Sequence, residues 1–179
     1  MSTLICEEPF SAAVESGLLQ NVCHSCFLYS RERKLRFCSR CLTVHYCSVK
    51  CQRNDWHDHS AECKCLKKYS PRIPSCFVRL LARFYWKMSA KGQAAVSFNS
   101  RRCYDLADNC HELVKSPKHM EYFSSLFNIL VEYMYGTEVT SKKEMFSIYG
   151  KITHGKHGAR KFGVSNKLSV MSSFNIVTR

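Results

Sequence analysis

Eight cysteine and histidine residues at metal-ligand spacing constrain this chain more than any other feature. They read Cys23-x2-Cys26, eleven residues, Cys38-x2-Cys41, five residues, Cys47-x3-Cys51, seven residues, His59-x3-Cys63. A Cys-x2-Cys turn aims two thiolates at one ion, and ligands four apart lie one helical turn apart on one face. Eight ligands make two tetrahedral sites of the kind Zn²⁺ takes with sulfur and imidazole donors. Protein fills every position at both sites, so the two ions are expected to be structural, with no open position for a water. A segment as short as residues 23–63 cannot fold on its own apolar burial. Zinc is expected to supply that free energy, ~10–16 kcal/mol per site in isolated finger peptides. His57 is two residues from His59 and competes with it as a ligand; the three-residue gap to Cys63 favours His59.

The intervening residues agree. Leu42, Val44 and Tyr46 alternate before Cys47, which suits a short strand, and Ser48 is placed to cap a helix after it. The N-terminal MSTLICEEPF lacks the basic and apolar regions of a secretory signal, and no apolar run of about 18 residues occurs. The expected setting is the nucleus or cytoplasm, not secretion or a membrane. In such a reducing compartment clustered cysteines are ligands rather than disulfides. Cys6, Cys65, Cys76, Cys103 and Cys110 are then expected to be free thiols.

With 45% hydrophobic and 23% charged residues the chain can bury a core, which excludes a broadly disordered protein. Its net charge is +13, and the excess is local: residues 64–102 hold ten bases and no acid, and residues 151–179 six bases and no acid. Residues 3–10 suggest a short extended piece, and residues 11–21 a weak helix broken by Gly17. After Pro71 and Pro74 the spacing predicts a helix over SCFVRLLARFYWKMSAK, with Phe77, Leu80, Leu81, Phe84 and Met88 on one face and Gly92 as its stop. A second helix fits SRRCYDLADNCHELV. A third opens at Ser116-Pro117 and runs to Gly136. Ser141 and Glu144 have capping-box spacing and open a fourth over MFSIYG. Helical periodicity ends at Lys151. The expected fold is mostly α with a small zinc-bound α+β module. It divides into an N-terminal extended segment (1–22), a two-zinc finger (23–63), a region of about four helices (64–150) and a basic, disordered tail (151–179).

The ligand spacing, together with HYCSVKCQRNDWHDH, resembles the MYND-type zinc finger. The resemblance implies interleaved sites, with Cys23, Cys26, Cys47 and Cys51 on one zinc and Cys38, Cys41, His59 and Cys63 on the other. Spacing alone does not give that pairing. The flanking ICEEPF and ECKCLKKYSPRIPSCFVRLLARFYWKM resemble the SET-and-MYND family of lysine methyltransferases, as do the helices up to FSIYGKI. The likeness spans roughly residues 3–152. That family's Gly-x-Gly and Asn-His-Ser-Cys segments for S-adenosylmethionine, its catalytic tyrosine and its post-SET cysteines have no counterpart here. Methyl transfer by this chain alone is therefore not expected. The resemblance implies instead an interaction module for proline-containing peptides, with Gln52 and Trp56 lining the groove. The alternative is that Trp56 packs under the zinc sites and Gln52 is merely solvated.

Arg79, Arg83, Lys87 and Lys91 recur every four residues and form a basic stripe opposite the apolar face of their helix. With Lys64, Lys67, Lys68 and Arg72 they either contact phosphates of chromatin or nucleic acid or make a solvated helix face. His154 and His157 have a His-x2-His spacing without neighbouring cysteines or acids, and read as incidental.

Overall fold

The computed structural model describes residues 10–32, 34–91, 108–135, 141–154, 160–162 and 170–173. The chain enters as strand β1 (Ser11–Val14) and a single 3-10 turn (Ser16–Leu18). The extended piece expected over residues 3–10 lies, apart from Phe10, outside the described residues; no α-helix forms over 11–21, where β1 and the 3-10 turn stand instead. All four residues of β1 are buried between helices and sheet, so strand pairing outweighs the weak helical propensity there. Residues 1–9, including Cys6, lie outside the described residues.

Strands β2 (Arg36–Phe37) and β3 (His45–Tyr46) form a small antiparallel hairpin. Helix α1 (Val49–Tyr69) follows it, capped by Ser48, whose hydroxyl accepts from the Cys51 N–H at 3.1 Å. It ends at Ser70, whose N–H returns to the Leu66 carbonyl, just before Pro71, with Lys67 and Lys68 in the last turn complementing the helix dipole. A boundary at 63/64 therefore falls inside one continuous helix.

Helix α2 (Cys76–Lys91) packs against β1, α1 and three other elements, and is the centre of the molecule. Of the face that the spacing predicts, Leu80, Leu81, Phe84 and Met88 are buried and Phe77 is half-buried, while Val78, not in that set, is buried as well; Phe10 meets Phe84 edge-on at 4.9 Å. Arg79 and Arg83 are also buried, at 0% and 6% exposure. A one-turn helix α3 (Cys110–Leu113) stands where a longer one was expected; Asn109 before it is left-handed (φ 48°) and cannot continue a right-handed helix. Residues 92–107, with Gly92 and Cys103, lie outside the described residues.

Helix α4 (Pro117–Tyr133) buries Phe123, Leu126, Leu130 and Tyr133; Phe123 meets Phe146 of α5 (Lys142–His154) edge-on at 4.8 Å, and Tyr133 meets Tyr69 of α1 edge-on at 5.6 Å. Pro117 occupies its first turn, although Ser116 makes no side-chain cap. Ser141 does cap α5, accepting from the Glu144 N–H at 3.3 Å. At Gly150 α5 passes so close to the Asp108 carbonyl that a Cβ has no room.

The tail is not structureless throughout. Lys151–His154 complete α5, and strands β4 (Arg160–Phe162) and β5 (Val170–Ser173) add to β1 in the order β1-β5-β4. Both pairings are antiparallel, with Ser11 opposite Ser173 and Arg160 opposite Ser172. Helical periodicity ends in this segment but regular structure does not. A strand whose partner is about 160 residues away in sequence leaves no local periodic mark. His157 lies outside the described residues, so the His154/His157 pair is not tested.

Candidate metal centre

Two knuckles of the same backbone form supply half of the ligands. In the first, the Phe27 N–H donates to the Cys23 carbonyl at 2.9 Å; in the second, the Leu42 N–H donates to the Cys38 carbonyl at 2.8 Å. Phe27 and Leu42 both sit in the left-handed region at φ 58°, which folds each Cys-x2-Cys back on itself. A parallel bridge from Cys23 to His45 ties the first knuckle to the hairpin. Helix α1 supplies Cys51, His59 and Cys63, and Cys47 lies just before its cap.

The knuckles and helix interleave. Cys23, Cys26, Cys47 and Cys51 converge in one cluster, and Cys38, Cys41, His59 and Cys63 in another, with all donor atoms of a cluster within 4.8 Å of one another. A tetrahedral zinc with Zn–S near 2.3 Å requires sulfur–sulfur edges of about 3.8 Å. Cys26–Cys47 is 3.6 Å, Cys47–Cys51 3.4 Å, Cys38–Cys63 3.8 Å and Cys41 Sγ to His59 Nε2 3.6 Å, so both donor sets fit the ion. The acid–base chemistry points the same way. Burial and the neighbouring thiols raise Cys63, whereas at Cys41 the hydrogen bond from His59 overcomes burial and draws the thiol down to about 6. Crowded thiolates of this kind need a cation to stay ionised. Zinc, when bound, supplies the folding free energy the finger lacks. His57 is exposed, lies 3.0 Å from Asp58, and belongs to neither cluster, whereas His59 lies in the second.

The two sites differ in their surroundings. In the first, Cys26 and Cys47 are exposed and Cys51 half-buried; in the second all four ligands are buried. Behind the second lies a network of buried charge. His59 directs Nε2 to Cys41 and donates Nδ1–H to Glu62 Oε2 at 3.1 Å. Arg79 Nε donates to Glu62 Oε1 at 2.8 Å, and Arg83 Nη1 to Glu62 Oε2 at 2.6 Å. Arg83 Nη2 also donates to Asp55 Oδ1 at 2.9 Å, and Tyr46 Oη to Asp55 Oδ2 at 2.7 Å. Arg79 reaches the Val14 carbonyl of β1 at 3.0 Å and His24 Nε2 at 2.8 Å; the other His24 nitrogen meets Asp55 at 3.0 Å. Burial alone would raise Glu62 and Asp55, but Arg79 and Arg83 hold the Glu62 carboxyl, and Arg83 with His24 the Asp55 carboxyl, well below the ordinary range. Burial keeps His24 neutral.

This network corrects the expected basic surface. Arg79 and Arg83 do not face solvent: two buried carboxylates on α1 pair with two guanidiniums on α2, because charges taken from water must find partners. Lys87 pairs with Asp58 at 2.7 Å, and Arg72 lies against Glu132. Lys64, Lys67 and Lys68 remain exposed. Trp56 is 38% exposed and does two things at once: its ring approaches the His59 ring edge-on at 6.1 Å, and the Arg40 guanidinium stacks over it at 5.0 Å. Gln52 is half-buried. Sequence reasoning missed His24, Asp55 and Glu62. The signal was present: Asp55, His59 and Glu62 are spaced four and three apart, and so share one helix face with each other as Arg79 and Arg83 do.

The MYND finger family model matches residues 23–63. The finger is a MYND finger. The chain is also similar to SMYD histone-lysine N-methyltransferases. It is 40% identical over 111 residues to human histone-lysine N-methyltransferase SMYD3, covering 62% of this chain and 25% of that protein. It is 38% identical over 89 residues to mouse histone-lysine N-methyltransferase Smyd1, covering 50% of this chain and 18% of that protein. Arabidopsis thaliana histone-lysine N-methyltransferase ASHR1 is 24% identical over 132 residues, covering 71% of this chain and 27% of that protein. The chain spans about a quarter or less of the length of the SMYD relatives it matches. Among the described residues no helix is long and apolar enough to cross a membrane.

Proposed function

We propose that this chain acts as a zinc-stabilised interaction module that takes proline-containing peptides by strand addition beside the MYND finger. One observation carries the reading: β2 pairs only with β3 among the described residues, so its outer edge is open, and Phe37 on it is 53% exposed. An open edge offers main-chain hydrogen bonds to an extended peptide, and proline suits such a ligand because it loses little conformational entropy on binding. Trp56 under Arg40, with Gln52 one turn earlier on α1, supplies an apolar and polar floor for its side chains. A peptide array on the purified zinc-loaded chain tests this. Binding of proline-containing peptides that falls on Trp56→Ala and Gln52→Ala supports it; an array without such ligands sinks it.

A second reading rests on the relatives, whose names describe histone-lysine N-methyltransferases. On this reading the chain is a fragment of an active lysine methyltransferase. Equilibrium dialysis with labelled S-adenosylmethionine separates the readings, since uptake by this chain favours the second. Binding to chromatin or nucleic acid through the basic block has less behind it: of the eight residues assigned to it, Arg72, Arg79, Arg83 and Lys87 are engaged by carboxylates.

A further inference from the structure

We infer that Glu62, held in place by Arg79 and Arg83, is the positioning group of the second zinc site, so that helix α2 sets the metal affinity of that site and not of the first. The finger's ligands all lie within residues 23–63, yet the group that fixes one of them is anchored outside that range. His59 presents Nε2 to the metal only if its proton sits on Nδ1 and its ring is held in plane with the cluster. Glu62 does both, accepting that proton at 3.1 Å. A carboxylate behind a ligating histidine fixes the tautomer and raises the basicity of the ligand.

Glu62 cannot do this alone. It is 0% exposed, and a zinc with three thiolates and one neutral imidazole carries a net charge of about −1 by formal count. An unpaired carboxylate beside that centre would be repelled by it and could not be hydrated. Arg79 and Arg83 occupy both oxygens of Glu62 at 2.8 and 2.6 Å, cancel its charge and leave one lone-pair direction for His59. Arg79 is itself tethered to the β1 backbone at Val14 and to His24. The orientation of a zinc ligand is thereby fixed through Arg79, which stands 17 positions from Glu62 and 65 from Val14 in sequence. The first site has a different arrangement. Its four ligands are thiols, two of them exposed, and two of them neighbour network residues in the chain, Cys23 beside His24 and Cys47 beside Tyr46, but among the described residues no network side chain is seen to orient any of the four.

The test uses the full chain loaded with Zn²⁺, or with Co²⁺ as a spectroscopic probe, titrated with a chelator. Native mass spectrometry counts the bound ions. The Co²⁺ ligand-field bands distinguish a site of three thiolates and one imidazole from a site of four thiolates. Glu62→Gln is expected to weaken the second site 10–100-fold relative to the first and to shift its Co²⁺ bands. Arg79→Lys is expected to move the ratio the same way by less. Lys87→Met removes a 2.7 Å contact between the same two helices that touches no ligand, and is expected to leave the ratio unchanged. Equal weakening of both sites, or a Lys87→Met effect matching Glu62→Gln, would overturn the inference by reducing the network to helix docking. If Glu62→Gln yields no folded chain, Arg79→Lys decides: an unchanged ratio there overturns it as well.

Discussion

The two zinc sites use the same knuckle and the same helix, yet one lies at the surface and the other at the centre of the fold. The first has two exposed thiols and a serine cap for its neighbourhood. The second is enclosed by α2 through Glu62, Arg79, Arg83 and Asp55. The contrast predicts that this finger is not one stability unit: the second site is tied to α2 through Glu62, while the first has two exposed thiols.

The largest expected effect breaks or keeps that contrast directly. His59→Ala removes the second metal and leaves Glu62, Arg79 and Arg83 buried without their imidazole partner. A large share of the ~10–16 kcal/mol attached to a structural zinc site should go with it, and circular dichroism should show loss of cooperative melting. Cys26→Ser, at an exposed thiol, should lose one zinc by native mass spectrometry yet keep the α2 core melting as a unit. If both variants melt alike, the sites are equivalent and the contrast fails.

Arg83→Met comes next. It leaves Asp55 and Glu62 short of a cation in a buried setting, where breaking a pair costs about 3–5 kcal/mol. Urea unfolding of the zinc-loaded chain should read that loss. Adding Asp55→Asn should give less than the sum of the single effects, because the two groups share one contact at 2.9 Å.

What the sequence disclosed follows from what periodicity can carry. Ligand spacing is a local property, so both clusters and the cap at Ser48 were legible. The interleaved pairing came from family resemblance and agrees with the clusters found. Helices α2, α4 and α5 were legible because their buried faces are apolar. The buried face of α1 is Asp55, His59, Glu62, Cys63 and Leu66, mostly ionisable, so no apolar stripe announced it. Arg79 and Arg83 look solvent-facing in the sequence for the same reason: a charged residue looks exposed until its partner on another element is known. The pairing of β5 with β1 is non-local and was invisible for a different reason, since registers across such separations leave no short-range pattern.

A kinetic measurement sharpens the contrast further. Mild chelation followed by alkylation and peptide mass mapping should label Cys26 and Cys47 before Cys38, Cys41 and Cys63, because reagent and chelator reach exposed thiols without opening the fold. Simultaneous labelling of both sets would mean that the chain releases its metals only on global unfolding, and the surface site would then be as well protected as the buried one.

The smallest effect separates the knuckles themselves. Phe27 and Leu42 share one strained backbone conformation at φ 58° but not one environment: Phe27 packs against the core, while Leu42 is 64% exposed. Glycine relieves a left-handed residue by roughly 1–2 kcal/mol and costs about 0.5–1 kcal/mol in unfolded-chain entropy. Leu42→Gly should therefore be neutral or stabilising by up to about 1.5 kcal/mol, from the same balance. Phe27→Gly gains the same relief but gives up part of a side chain worth about 1.5–3 kcal/mol when fully buried, so it should unfold at lower urea than Leu42→Gly. Equal midpoints would mean that the Phe27 ring contributes nothing to holding the first site. The knuckle backbone alone would then account for that site's share of the finger's stability.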